Sequence, residues 1–419
     1  MAYYQYRQPQ RRPKRRGNPM ALFLVVVLVA YFGVTLFAPL HQQIYAVAPA
    51  IAPYYDTGKA SMTWPNYGQA AVGTQQGGLL AKHGPTTKSV PIASVAKIMT
   101  ALSVLHEKPL KPGEQGPTLT LTQDDQQIYD EYYRKDGSIA PVAVGEKITE
   151  YQALQALLLP SANNFADTLV IWTFGSILDY TEFANDYAKE LGLQNSHFAD
   201  ASGFSPDTVS TATDLVKLGQ HAMDNPVIAE IVGQSTAVIP VAGTIHNVNG
   251  MLRLGEGVVG IKTGNTDQAG GCMLLAVTHK VGKTSVVIIS AVLGAPHLTI
   301  AMKDALQVAK NAKKNLISMK ILSTGQTFGA YSTTWGESAE AATAKSYSAV
   351  VWKGSNVQVS PQTEALRTPA DKGQVVGSVI VTGIALADQA KIPLELTDNL
   401  DAPNVMWRLT HPLEIARSI

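Results

Sequence analysis

The 419-residue sequence contains one cysteine, Cys272, so no intramolecular disulfide can staple it. Its stability must come from a hydrophobic core, and a chain of this length has ample material for one. Cys272 lies in the apolar run Cys272-Met273-Leu274-Leu275-Ala276-Val277, which reads as a buried structural thiol and not as a nucleophile. Charge is scarce at 16% against 46% hydrophobic residues, which excludes a disordered chain. The composition is too varied for a fibrous protein, and no internal repeat is visible.

Acidic residues are missing from residues 1–19, where Arg7, Arg11, Arg12, Lys14, Arg15 and Arg16 give a local charge of +6. The remaining chain holds 27 basic and 32 acidic residues, a net of −5, so nothing in the body calls for nucleic acid as a partner. Met20 to Ala38 then lacks any charge for 19 residues, enough as a helix to cross a hydrocarbon core of about 30 Å. The positive-inside bias predicts a basic cytoplasmic tail over 1–19, a transmembrane helix over 20–40 and an extracytoplasmic body after Pro39. A signal peptide cleaved after Ala46-Val47-Ala48 is the competing reading. It is disfavoured because the apolar run is longer than a usual signal core, lies far from that site and would leave Pro49 just after the cut.

From 41 to 59 the chain is rich in Ala, Pro and Tyr without helical or alternating period, and reads as a linker. A hairpin is expected around Gly77-Gly78 and a helix from about Ser94, whose Val95, Ile98, Met99, Leu102 and Leu105 keep the 3.6-residue period. Further helices are expected over Ile148 to Leu159 and along Phe183, Tyr187 and Leu191. Val258 to Thr263, Cys272 to His279 and Ser285 to Leu293 read as neighbouring antiparallel strands, the last two joined by a turn at Val281-Gly282-Lys283. An amphipathic helix over Ile300 to Met319 closes the unit. The fold class expected is α+β, an antiparallel sheet flanked by helices over 60–322. Short valine-rich runs at Ser348 to Trp352, Val357 to Ser360, Val375 to Thr382 and Ile392 to Leu396 predict a small all-β domain over 323–419.

Three polar motifs stand in order across the body: Ser94-Val95-Ala96-Lys97, Ser161-Ala162-Asn163 and Lys262-Thr263-Gly264. Each alone has an ordinary explanation, as a helix N-cap with a solvated lysine, a Ser/Asn turn, or a strand ending in a tight turn. Their joint presence is the informative fact. Residues at i and i+3 share a helix face, so Lys97 can reach Ser94 and serve as its base, provided burial or a neighbouring cation such as Lys262 keeps the amine neutral. Ser161 can relay a proton and Asn163 can fix a lysine and a substrate carbonyl. Lys262 and Thr263 offer a charge and a hydroxyl for a carboxylate beside an open strand, and Gly264 leaves room for substrate backbone.

Together with the stretches PIASVAKIMTAL, LLLPSANNFADTL, DASGFSP, STATDLVKLG and GIKTGNTDQAG, these motifs resemble the D-alanyl-D-alanine carboxypeptidases, the low-molecular-mass penicillin-binding proteins of serine peptidase type. The likeness covers approximately residues 60–310, and the C-terminal β-rich segment resembles the family's second domain. The resemblance implies a penicillin-binding, β-lactamase-like fold. It implies Ser94 as acylated nucleophile, Lys97 as base, Ser161 and Asn163 as proton relay and lysine-orienting pair, and Lys262, Thr263 and Gly264 as the seat of the substrate terminus. The backbone N–H groups of Ser94 and Asn265 would form the oxyanion hole. The substrates implied are peptidoglycan stem peptides, with β-lactams as covalent inhibitors, and no metal or other cofactor is required. The sequence departs from the family pattern at Asn265, commonly aromatic or His, and in having no Arg between Ala291 and Asp304, where His297 and Lys303 are the basic residues.

A class A β-lactamase would need a deacylating glutamate in an E-x-x-L-N context, and none follows Ser161. His106-Glu107 begins a zinc-peptidase motif that fails at Leu110, and Gly282-Lys283-Thr284 has Val277 where a phosphate loop needs glycine. A DD-endopeptidase cutting cross-links and a non-catalytic wall scaffold remain as alternatives.

Overall fold

In a computed structural model of the chain, residues 1, 5, 18–38, 40, 43–47 and 55–418 are described. The basic stretch from Arg7 to Arg16 and the candidate cleavage site at Ala48-Pro49 lie outside the described residues.

Helix α1 (Pro19–Phe37) begins with Asn18 accepting from the Met20 N–H and has proline in its first turn. It is long and apolar enough to cross a membrane, and its side chains are almost all exposed. The first large sheet is five-stranded and antiparallel. Its strands are β1 (Gln69–Thr74), β2 (Gly78–His83), β3 (Val258–Thr266), β4 (Gly270–Val281) and β5 (Thr284–Ala295), in the order β3-β4-β5-β1-β2. Both expected hairpins form. Gly282 supplies the left-handed backbone of the two-residue turn between Val281 and Thr284.

The interior strand β4 is buried on both faces, which explains its unbroken apolar run. Cys272, Leu274 and Ala276 point into the core shared with the helical layer, while Met273, Leu275 and Val277 point toward α9 (Leu298–Asn315) on the opposite face. Each such side chain contributes roughly 1.5–3 kcal/mol on full burial, so a one-residue slip of β4 would be strongly disfavoured. Burial pushes the Cys272 thiol up to about 12, in keeping with an inert structural residue.

The helical layer holds α2 (Lys97–Glu107), α3 (Gln123–Arg134), α4 (Glu150–Leu158), α5 (Asn163–Phe174), α6 (Ile177–Glu190), α7 (Ala212–Asp224) and α8 (Pro226–Gly233). In α4, the Thr149 side chain accepts from the Gln152 N–H while Gln152 accepts from the Thr149 N–H, a reciprocal cap that fixes where this buried helix starts.

Two expectations require correction. The helix read as Ile300 to Met319 ends at Asn315, and Leu316–Leu322 is strand β6, paired antiparallel with β9 (Tyr347–Trp352). The Asn315 side chain ends the helix by donating to the carbonyls of Ser61 and Asn311, and the Asn315 backbone carbonyl accepts from the Lys353 N–H. The ribbon serves two cores: Leu316, Val350 and Trp352 pack with α9, while Ile321, Leu322 and Val351 pack with the C-terminal sheet. Within the stretch read as a linker, Gln43–Ile44 pairs with Leu366–Arg367, Val47 bridges Ala330, and the Tyr55 hydroxyl donates to the Ile321 carbonyl. These partners are about three hundred residues away, so no local pattern could show them.

The C-terminal sheet adds β7 (Thr327–Ser332), β8 (Ser338–Thr343), β10 (Gln358–Thr363), β11 (Val375–Thr382) and β12 (Gln389–Leu396), in the order β7-β8-β12-β11-β10. Two short helices follow, α10 (Val405–Thr410) and α11 (Pro412–Ser418). The Arg408 guanidinium donates to the Ala38 carbonyl at 2.9 Å and to those of Leu36 and Thr35 at 3.3 and 3.4 Å, satisfying orphan acceptors at the end of α1.

Candidate active site

Ser94 and Lys97 sit where the chain turns from strand into helix. Ala93 has φ +47°, a left-handed kink that starts a 3₁₀ turn over Ala93–Ala96, and α2 follows directly. In a 3₁₀ turn residues three apart eclipse, so Lys97 stacks over Ser94 with Nζ 2.9 Å from Oγ.

Lys97 is fully buried. Its Nζ donates to Asn163 Oδ1 and to the Ser202 carbonyl, each at 2.7 Å. A neutral amine has two N–H donors and one lone pair. With both donors taken by those carbonyl oxygens, the lone pair is left for the third neighbour, the Ser94 hydroxyl. Burial lowers the Lys97 pKa to about 7, against the opposing pull of Asp200 and Asp167. The main cause is thus desolvation. The cation effect expected from Lys262 shows on the other partner: burial first, then the charge of Lys97, hold Lys262 well below its ordinary value.

Asn163 opens α5, and its N–H donates to the Ser138 carbonyl at 2.7 Å, which fixes the amide that holds Lys97. Two residues earlier Ser161 has φ +67° and is buried, with a hydroxyl that has no partner among the described residues. Strained backbone and an unsatisfied buried hydroxyl at one residue are costly features that persist where a site uses them.

The third motif lies within a strand and not at its end. Lys262, Thr263 and Gly264 are inside β3, opposite Leu274, Met273 and Cys272, and β3 is an edge of the sheet. Lys262 is 2% exposed, and its ammonium makes one hydrogen bond among the described residues, to the Thr263 carbonyl at 3.1 Å. Gly264 explains how closely the edge approaches Ser94: a Cβ there would stand 2.8 Å from the Ile92 carbonyl oxygen and 3.1 Å from the Ser94 nitrogen. Gly264→Ala is therefore expected to push β3 off Ser94 and slow acylation by one to two orders of magnitude, about 1.4–2.7 kcal/mol in activation free energy, with the protein still folded. Stopped-flow acylation with a chromogenic β-lactam checks this, and an unchanged rate would show that the contact is relaxed without cost.

Ser94, Asn163 and Asn265 line a cavity of ≈ 650 Å³. Its other walls are Lys135 to Ser138 and Gly203 to Pro206, segments that the motif reading did not assign to the site, with Thr266 to Gln268. Ser161, Lys262 and Thr263 are buried behind this surface. His297 and Lys303 do not line it, and Lys135 is its basic lining residue. Asp200 fastens the Gly203–Pro206 wall: its carboxylate accepts from Ser202 Oγ, from the N–H groups of Phe204 and Ser205 and from Thr208 Oγ1. DASGFSP, noted only as a resembling segment, is thus also the segment that presents the Ser202 carbonyl to Lys97.

A serine hydroxyl against a buried amine, with a second buried serine and an open sheet edge beside it, defines a serine acyl-transfer centre on an α+β scaffold. The family described as D-alanyl-D-alanine carboxypeptidase matches residues 69–297, more than half of the chain, and the protein belongs to it. A D-alanyl-D-alanine carboxypeptidase of Streptomyces sp. (strain K15) is 30% identical over 248 residues, 55% of this chain and 80% of that one. A D-alanyl-D-alanine endopeptidase of Escherichia coli (strain K12) is 28% identical over 194 residues, 44% of this chain and 58% of that one. Among solved structures, penicillin binding protein 5 from Haemophilus influenzae shares the fold over 84% of this chain and all of its own, at 20% identity and TM-score 0.58.

Proposed function

We propose that the protein is a serine-type D-Ala-D-Ala carboxypeptidase that trims the terminal D-alanine from peptidoglycan stem peptides, with Ser94 as nucleophile. The observation that carries this reading is the environment of Lys97, whose two carbonyl acceptors leave its lone pair for the Ser94 hydroxyl. Ser94 Oγ attacks the carbonyl of the penultimate D-Ala as its proton passes to Lys97 Nζ. The backbone N–H groups of Ser94 and Asn265 hold the oxyanion. The proton then reaches the leaving amine through Ser161, the C–N bond breaks, and D-alanine departs. Water, deprotonated by Lys97, hydrolyses the ester and returns a hydrogen to Ser94.

A stem peptide laid along β3 would bring its carboxylate to the Lys262 ammonium and the Thr263 hydroxyl, adding an acidic partner to the one hydrogen bond that ammonium makes among the described residues. A β-lactam offers the same reacting amide in a ring and stays bound as a slow ester. In the proposed topology α1 crosses the cytoplasmic membrane, the arginines remain inside, residues 60–322 form the extracytoplasmic catalytic unit and 323–419 a β-rich spacer.

The detergent-solubilised full chain is expected to release one D-alanine from a pentapeptide stem, seen by mass spectrometry as a loss of one residue. Cleavage of a cross-linked dimer with the pentapeptide left intact would replace this reading by the endopeptidase alternative.

A further inference from the structure

Beyond the three motifs, the charges of Asp200 and then Asp167 act on Lys97, and Asp167 lies one turn along α5 from Asn163. Its carboxylate accepts from the Tyr132 hydroxyl at 3.0 Å, and that hydroxyl also lies 3.4 Å from Ser202 Oγ. Tyr132, from α3, packs edge to face on Phe204 of the cavity wall. A chain of contacts thus runs from Asp167 through Tyr132 to Ser202, the residue whose carbonyl holds Lys97.

We propose that Asp167 is a positioning residue for the base: seated with Tyr132 behind Ser202, whose carbonyl holds Lys97, its carboxylate governs how readily that amine takes the Ser94 proton. The inference rests on Ser94 and Lys97 being the acylating pair. Asp200 also faces Lys97, but its hydrogen bonds tie down its own loop, so it has a structural duty. Asp167 has no comparable duty, since Tyr132 is its one hydrogen-bond partner among the described residues. A partly buried carboxylate with one hydrogen bond costs stability, and an asparagine would sit there more cheaply.

The charged and titratable groups around the pair come from every packed element: Asp200 from the loop before α7, Lys262 from β3, Tyr132 and Glu131 from α3, and the buried Tyr180 from α6. Burial raises the Asp167 carboxyl to about 7, while the Tyr132 hydrogen bond and Lys97 pull it down. Asp167 and Lys97 therefore titrate over one range and behave as a coupled pair. The sign follows. An ionised Asp167 favours charged Lys97, so removing it frees the amine at lower pH.

The test is the pH profile of the acylation rate with a chromogenic β-lactam, from pH 5 to 9, on the full chain in detergent. Asp167→Asn should move the acid limb down by on the order of one pH unit. Tyr132→Phe removes the carboxylate's hydrogen bond, which makes Asp167 less ionised, and should move the limb the same way by less. A folded Asp167→Asn protein whose limb is unmoved or moves up would overturn the proposal. Should that variant fail to fold, an unmoved limb in Tyr132→Phe overturns it instead. Loss of the acylating-pair reading looks different, because then Ser94→Ala would still form the adduct, or the unsubstituted protein would form none.

Discussion

Ser94→Ala is expected to abolish covalent labelling by a fluorescent penicillin and to lower peptidase turnover by about 10⁴-fold or more. The chemical reason is that no other hydroxyl can replace it. Ser161 is the nearest rival in sequence logic, but it lies buried behind the cavity, whereas Ser94 lines the cavity itself. Thr263 is likewise buried. Ser94 is also the hydroxyl placed against the Lys97 amine, so among the described residues it is the cavity-lining hydroxyl with a base candidate beside it. The substitution removes one oxygen from a half-buried side chain, so thermal unfolding should change little. Binding without reaction should survive, since Lys262, Thr263 and the cavity walls are untouched. Gel fluorescence and intact mass together decide the matter. A mutant that still gains the mass of the penicillin would require a different nucleophile, and peptide mapping would show which.

The parts of this site that were legible in the sequence are those in which chemistry and local geometry coincide. Ser94 and Lys97 lie three residues apart at the head of an apolar helix, so their meeting follows from backbone geometry alone. Asn163 was legible as a polar residue just beyond a run of leucines that had to be buried. Burial of the Lys97 ammonium was not legible, because it depends on Asn163 and Ser202, supplied from 66 and 105 residues away. Asp167 and Tyr132 escaped for the same reason: their meeting is a contact between α3 and α5 that no spacing announces. The placement of Lys262 within β3 was missed because a K-T-G followed by polar residues looks like a strand end, whereas the ladder to β4 carries on through Thr266.

The fold shows a parallel division. Strands β4 and β5 were readable since burial on both faces imposes long apolar runs. Strand β6 was absorbed into the preceding helix because Leu316, Ile317 and Met319 continue the apolar stripe of α9. What ends the helix is the bonding of Asn315 to Ser61 and of its carbonyl to Lys353, both distant in sequence. The short helices α10 and α11 had no sequence expectation. The place of α10 against the end of α1 rests on the Arg408 contacts, together with one between the Tyr31 hydroxyl and the Leu409 carbonyl.

Lys97→Arg carries the second large effect, and it separates charge from chemistry. Arginine keeps a positive charge at this position at every accessible pH and has no lone pair to offer. If the lysine acted only as a fixed cation near the oxyanion, arginine would preserve much of the rate. As a base it must be neutral at the moment of attack, so the substitution should slow acylation by about 10²–10⁴-fold at pH 7. With Lys97 lowered to about 7, the unsubstituted protein should show a single-proton acid limb near neutrality, with acylation falling about tenfold per pH unit below it. The arginine variant should lose that limb along with the rate, since the group that produced it can no longer titrate. Guanidinium in a site sized for an ammonium also crowds Asn163 and Ser202, so unfolding must be followed alongside. A folded Lys97→Arg protein that acylates within a few-fold of the original rate would remove Lys97 as the base. Retention of the neutral-pH limb in that variant would assign it to another group, Asp167, whose carboxyl burial raises to about 7, being the first to test.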